Sequence, residues 1–313
     1  MLNFIIKRLL TSILVIIGVT IVIFSLVHMA PGDPVQMMAG LDAKEEDIEA
    51  LRAKMGMDKP LIVQYFNYVK GLLHLDLGKS IITNKNISDE IFFRFRNTAE
   101  LAVAGMLISS VFGIIIGIIA AVNRDRWLDK TLMSLSITGI SMPSFLLALL
   151  LMLLLVSQWH LLPASGREGS PFTAEGFKYI ILPALTLGIS GTASIARLTR
   201  SSVVAVLNEE FVMTLKAKGL RRKMILFKHI LRNASLPILT MIGLDFGYLL
   251  GGAVVTETIF AWPGIGKYAM DAISQNDFPA VQGAVLILSM MFMLINLVVD
   301  LLYGVLDPRV SLE

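Results

Sequence analysis

The stretch LAVAGMLISSVFGIIIGIIAAV, Leu101–Val122, holds twenty-two consecutive residues without one Asp, Glu, Lys or Arg. About 20 apolar residues wound as a helix cross the hydrocarbon core of a bilayer. In that solvent the backbone must satisfy its own N–H and C=O groups, and a helix does so within a single segment. The pattern repeats outward from this stretch. Leu9–Val27 and Phe278–Val299 are equally free of charge, and Thr131–Trp159 is a longer uncharged run that would tilt or extend past the bilayer. Tyr179–Ala196 is shorter and broken by Pro183, Gly188 and Gly191, and Ala234–Thr256 is interrupted only by Asp245. Six spans predict an all-α integral membrane protein. Composition agrees. Of 313 residues, 55% are hydrophobic and 16% charged, against about 25% charged in a soluble domain, and the mean hydropathy is +0.74.

Charge sets the expected orientation. Lys7 and Arg8 ahead of an apolar core fit a secretory signal, but the core is long for an h-region of about 7–15 residues. Ala30-Pro31-Gly32 is also a poor cleavage site, so the first span reads as a retained anchor. Residues 197–232 alone carry nine Lys and Arg, whereas residues 30–97 balance nine basic against ten acidic residues. Basic residues concentrate in short cytoplasmic loops, which places both termini inside. The expected divisions are 1–29 (N-terminus and first span), 30–97 (an extracytoplasmic insert between spans 1 and 2) and 98–313 (a core of five spans with a cytoplasmic loop at 203–232). A pI near 9.0 follows from this topology. No basic stripe interleaves with aromatics, so nucleic acid is not an expected partner; the lipid bilayer of the cell (inner, cytoplasmic) membrane is.

Three non-spanning regions carry pattern. In the insert, Lys44–Met55 places Ile48, Leu51 and Met55 at helical spacing, and Leu61–Leu73 is a second helix candidate. The insert reads as a solvated cap or as a partner-docking surface. In the inner loop, Phe211 and Leu215 share a helix face before Gly219 interrupts it, and Met224, Phe227 and Leu231 repeat the spacing among Arg221, Arg222, Lys223, Lys228 and Arg232. Two short helices on a glycine hinge would lie along the membrane or present an apolar knob to a cytosolic partner. In the last outer loop, Trp262-Pro263-Gly264-Ile265-Gly266 reads as a turn with an interface aromatic, packing the bundle.

Several chemistries fall away. The chain has no cysteine, which removes disulfides, thiolate metal sites and thiol catalysis. Gly266-Lys267 resembles the end of a phosphate-binding loop, but Ala261 and Tyr268 stand where Gly and Ser or Thr are needed. Gly188-Ile189-Ser190-Gly191 resembles the nucleophile stretch of a rhomboid-type intramembrane protease. Serine needs an adjacent base, and the last histidine is His229, outside the sixth span; small residues so clustered more often mark close helix contacts. His28, His74, His160 and His229 lack ligand spacing. No catalytic residue, cofactor site or metal site is expected. An ion-coupled secondary transporter is the alternative function, because acids inside spans are functional candidates; Asp245 is mid-span and Asp300 lies near the inner end of the sixth.

The inner loop carries a resemblance. Glu210-Phe211-Val212-Met213-Thr214-Leu215-Lys216-Ala217-Lys218-Gly219, followed by His229 to Pro237, resembles the coupling loop of ABC importer permeases of the peptide/nickel type. Ala30-Pro31-Gly32-Asp33-Pro34, Asp76-Leu77-Gly78 with Ser80, Asn97-Thr98, Ser141-Met142-Pro143, Ile181-Leu182-Pro183-Ala184, Phe260 to Gly264 and Asn296 to Arg309 extend it along nearly the whole chain. Met213, Thr214 and Leu215 depart from the broader pattern Glu-Ala-Ala-x-x-x-Gly. The resemblance implies a type I importer transmembrane domain, the first permease of a pair, working with a second homologous permease, two cytoplasmic ATP-binding subunits that use the ATP, and an extracytoplasmic solute-binding protein. It implies ATPase coupling through Glu210, Phe211, Thr214, Leu215, Ala217, Lys218 and Gly219, with Phe211 in the ATPase groove. Pro143, Pro183, Asp245 and Trp262 are pathway or gating candidates. The implied cargo is nickel, as a chelate, or di- and oligopeptides, with neither preferred.

Overall fold

The computed structural model describes residues 2–29, 35–36, 44–54 and 56–306, with residues 2–5, 51, 140, 252 and 302–306 described as backbone alone. Ala30 to Pro34, Met55 and Asp307 to Arg309, all used in the sequence reading, lie outside the described residues. The described helices are α1 (Leu2–Met29), α2 (Glu45–Lys54), α3 (Leu61–Leu73), α4 (Ile87–Val122), α5 (Trp127–Ser141), α6 (Ser144–Leu151, continued as π-helix over Met152–Gln158), α7 (Ala174–Leu207), α8 (Glu210–Ala217), α9 (Arg222–Met224), α10 (Leu231–Ile259), α11 (Ile265–Ser274) and α12 (Phe278–Leu306). Among the described residues no strand forms beyond an isolated antiparallel bridge, Lys79 to Asn86.

Five helices are individually long and apolar enough to cross a bilayer, and the count rises to six if the bent pair α5–α6 is one broken span. The expected single span over Thr131–Trp159 is corrected: it bends by 105° at Met142-Pro143. Proline lacks an N–H and its ring forces the preceding residue out of the helical region; Met142 adopts φ −83° and ψ 123°, and Pro143 caps α6. The other spans run longer than their uncharged cores. α4 begins at Ile87 and α7 runs on to Leu207, carrying Arg197 and Arg200 as helical residues and not as loop.

Contacts divide the chain into two units. Residues 2–4, 99–262 and 294–306 form the first, with α7 at its centre. In the most apolar window of α7, 61% of residues are buried, against 28% or less in each other spanning helix. The small residues of α4 and α7 allow this. A Cβ added at Gly117 would lie 2.6 Å from the Ala196 carbonyl oxygen, and one at Gly113 would lie 2.7 Å from Ile195. The Gly113-x-x-x-Gly117 spacing thus gives backbone-to-backbone approach, the usual source of helix adhesion where lipid offers no hydrophobic drive. Gly188 packs the same way on Ile108, so the Gly188–Gly191 cluster serves packing.

The second unit comprises the described parts of residues 5–98 together with 263–293. Polar clasps hold it. Asn97 donates to the Pro263 carbonyl at 2.8 Å, the Ile265 N–H donates to Thr98 Oγ1 at 2.9 Å, and the Ser80 hydroxyl donates to Asp277 at 2.5 Å. The Arg94 guanidinium lies over the Tyr268 ring, 4.4 Å from its centroid. The loop after Trp262 is more than a turn, since it contains the amphipathic helix α11, nearly three turns long.

Candidate functional site

The loop between α7 and α10 is built from its ends inward. Glu209 takes an extended conformation and α8 follows for two turns. Its end is a Schellman motif: Leu220 N–H donates to the Leu215 carbonyl at 3.3 Å and Gly219 N–H to the Lys216 carbonyl at 3.0 Å. Gly219 adopts φ +74°, which glycine reaches without the Cβ penalty. Leu215 and Leu220 then meet in one apolar cluster, as the motif favours. That cluster contains Ala121 from α4, Val203 from α7, Val212 from α8, Ile225 and Ile230 from the following turn, and Ala234 and Ile238 from α10.

The structure therefore sorts the predicted coupling residues by side. Glu210, Phe211, Thr214, Ala217, Lys218 and Gly219 are exposed, while Leu215 turns inward. Phe211 and Leu215, read as sharing a helix face, differ in burial, Phe211 being exposed and Leu215 half-buried. Phe211 sits at the flank, 36% exposed, and Met213 (74%) and Phe227 (63%) are the more prominent apolar side chains. Val212 is fully buried and fixes α8 to the bundle. The sequence reading did not single it out, although its spacing to Leu215 already marked an inner face. The expected second short helix is also revised. From Arg222 the chain is helical through α9 and a π-turn over Ile225–Ile230 into α10, so Phe227 stands at the end of a span.

One further pair braces this end of the first unit. Arg200 donates from both Nε and a terminal nitrogen to Asp129, each at 2.6 Å, and the Asp125 N–H donates to the same carboxylate at 2.9 Å. The Asp129 side chain is 3% exposed and Arg200 28%. This ties α5 to α7 one turn before Val203. Sequence reading counted both residues only as loop charges.

The pathway candidates scatter through the first unit. Pro143 is exposed at the α5–α6 bend, and Pro183 is buried inside α7. Trp262 is fully buried among Leu101, Ile180, Ala184, Leu187, Leu249 and Ala253, which corrects its reading as an interface aromatic. Arg167 stands 5.6 Å from the Trp262 ring centroid and pairs with Glu100 at 2.8 Å. Asp245 lies against Gly191, where any Cβ would collide with its carboxylate, and near the Ser109 hydroxyl. Its buried Oδ2 has no hydrogen-bond partner, and no basic side chain pairs with it among the described residues.

Five long apolar helices and a bent pair, with a short anchored surface helix between α7 and α10, mark a multi-pass membrane protein. The comparisons with known proteins narrow the class. Residues 113–312 match the model of binding-protein-dependent transport system inner membrane components, and residues 1–102 match the N-terminal model of such membrane components. The chain belongs to this family. It is 42% identical to the dipeptide transport system permease protein DppB of Escherichia coli strain K12, over 99% of both chains. It is likewise 42% identical to the glutathione transport system permease protein GsiC of Salmonella choleraesuis, again over 99% of both. Two solved structures share the fold at 15% identity. A methionine ABC transporter, MetNI, in an inward-facing conformation matches with TM-score 0.57, covering 69% of this chain and 96% of that one. An amino acid ABC transporter matches with TM-score 0.52, covering 71% and 95%. The fold is that of a type I ABC importer permease.

Proposed function

We propose that this chain forms half of the translocation pathway of an ATP-driven importer of short peptides, glutathione-sized molecules included. The observation that carries the proposal is α8, a two-turn helix fixed from below by Val212 and Leu215 and displaying Phe211 and Met213. One of two cytoplasmic ATP-binding subunits grips that helix. Their closure on ATP pushes α8, and because α8 shares one cluster with the ends of α4, α7 and α10, the push reaches three spans together. A packed core transmits displacement rather than absorbing it. A second homologous permease completes the pathway, an extracytoplasmic binding protein delivers the cargo, and both termini face the cytoplasm of the cell membrane.

Peptide is preferred to nickel as cargo because the similar full-length permeases act in dipeptide and glutathione transport. Family membership also weighs against ion coupling, and Asp245 then serves packing or the pathway lining. The test is to express the chain with the ATPase, permease and binding-protein genes encoded beside it and to identify the ligand of the binding protein by mass spectrometry. A bound di- or tripeptide or glutathione supports the reading; a bound metal chelate overturns the cargo assignment.

A further inference from the structure

The insert helix α3 has three faces. At 3.6 residues per turn, Tyr65 and Tyr68 point one way, Ile62, Phe66 and Leu73 a second way, and Asn67, Lys70 and His74 a third. The first face lies on α1. The Tyr65 hydroxyl is 3.0 Å from that of Thr20, the Gln64 amide oxygen is 3.0 Å from His28 Nε2, and the Phe24 ring stands 5.4 Å from Tyr65 and 6.1 Å from Tyr68, centroid to centroid. Among the described residues nothing covers the second face: Ile62 is 70% exposed, Phe66 66% and Leu73 81%.

The position of Thr20 indicates what covers it. Thr20 belongs to the uncharged run Leu9–Val27 of a membrane-spanning helix. It lies seven residues short of Val27, or about 10 Å along the axis. A helix whose tyrosine reaches Thr20 is therefore not a cap standing in water above the membrane. We infer that α3 lies in the bilayer leaflet at the C-terminal end of α1, with Ile62, Phe66 and Leu73 among acyl chains and Lys70 and His74 at headgroup level. Interfacial helices settle to about 5–10 Å below the headgroup boundary, the same depth. Val22 (56%) and Leu26 (61%), at the same end of α1, are exposed too. Lys70 reaches the surface by extending its apolar stem, as long cationic side chains do.

This is independent of the cargo and of the coupling loop. Because the chain has no native cysteine, it can be labelled at single introduced cysteines before assembly with its partners. Nitroxide labels on Ile62→Cys, Phe66→Cys, Leu73→Cys, Asn67→Cys and Lys70→Cys are measured in the full importer in lipid nanodiscs, with oxygen and chromium oxalate as apolar and aqueous relaxing agents. The expected result is a higher ratio of oxygen to chromium oxalate collisions at 62, 66 and 73 than at 67 and 70. Equal aqueous access at all five sites would overturn the proposal in favour of a solvated cap. Protection of 62, 66 and 73 from both agents would overturn it in favour of a protein partner on this face. Three labelled positions on the apolar face and two on the polar face allow for loss of any one variant to misfolding.

Discussion

Asp129→Ala removes the acceptor of three hydrogen bonds at once, two from Arg200 and one from the Asp125 backbone. Breaking a buried ion pair by deleting one partner costs about 3–5 kcal/mol when the remaining charge has no access to water. Arg200 is 28% exposed and Asp129 3%, so the stranded guanidinium recovers part of its hydration. The Asp125 N–H adds a further part of about 1–3 kcal/mol if it stays dry. The net expectation is about 3 kcal/mol, which is about 150-fold in the folding equilibrium at 1.36 kcal/mol per decade. Arg200→Ala leaves Asp129 the more deeply buried charge and should cost at least as much. The double variant should cost no more than the worse single one, giving a coupling energy of about 3 kcal/mol in a double-mutant cycle. Reversible unfolding in mixed micelles titrated with SDS reads all four corners. Additive single effects, with coupling below about 0.5 kcal/mol, would show that the pair does not brace α5 against α7.

The remaining expectations concern the loop, the seam and the topology. Phe211→Ala and Met213→Ala together should weaken retention of the ATP-binding subunits, each buried anchor contributing about 2 kcal/mol, and Val212→Ala should instead lower stability by loosening α8; co-purification and thermal melting separate the two outcomes. Gly117→Ile places a branched side chain where even a Cβ lies 2.5 Å from Thr199 Cβ, and fluorescence-detected size exclusion should show loss of the monodisperse species. Cysteines at Lys54 and Lys85 should react with an impermeant thiol reagent in intact cells, and one at Lys218 only after lysis; labelling of Lys218 from outside would reverse the topology.

What the sequence made legible follows from what the bilayer enforces. Charge-free runs of span length mark helices because no other backbone conformation is satisfied there, and α3 was bounded to the residue because Pro60 and the polar turn after Leu73 punctuate it. Proline was misjudged in opposite senses. Pro143 was placed inside one long run, where it makes the 105° bend, while Pro183, read as a break, stays inside α7. Tertiary packing around α7 decides the second case, and no local pattern encodes it. Trp262 was read as an interface residue by residue type, whereas its burial depends on three helices closing over it. Asp129 and Arg200 stand 71 positions apart, so nothing in either neighbourhood announces a pair. The coupling residues were named by resemblance, but Val212, which holds them in place, was visible only as one more apolar residue.

The central claim is that ATP hydrolysed by partner subunits drives uptake through this chain. The direct measurement is uptake of a labelled dipeptide or glutathione by proteoliposomes holding the assembled importer, with ATP on the α8 side and the binding protein on the other. Uptake that needs ATP and binding protein, and that persists when an uncoupler collapses the proton gradient, is the result predicted here. Uptake that proceeds without ATP and stops with the uncoupler would contradict the account and return Asp245 to the centre of the mechanism.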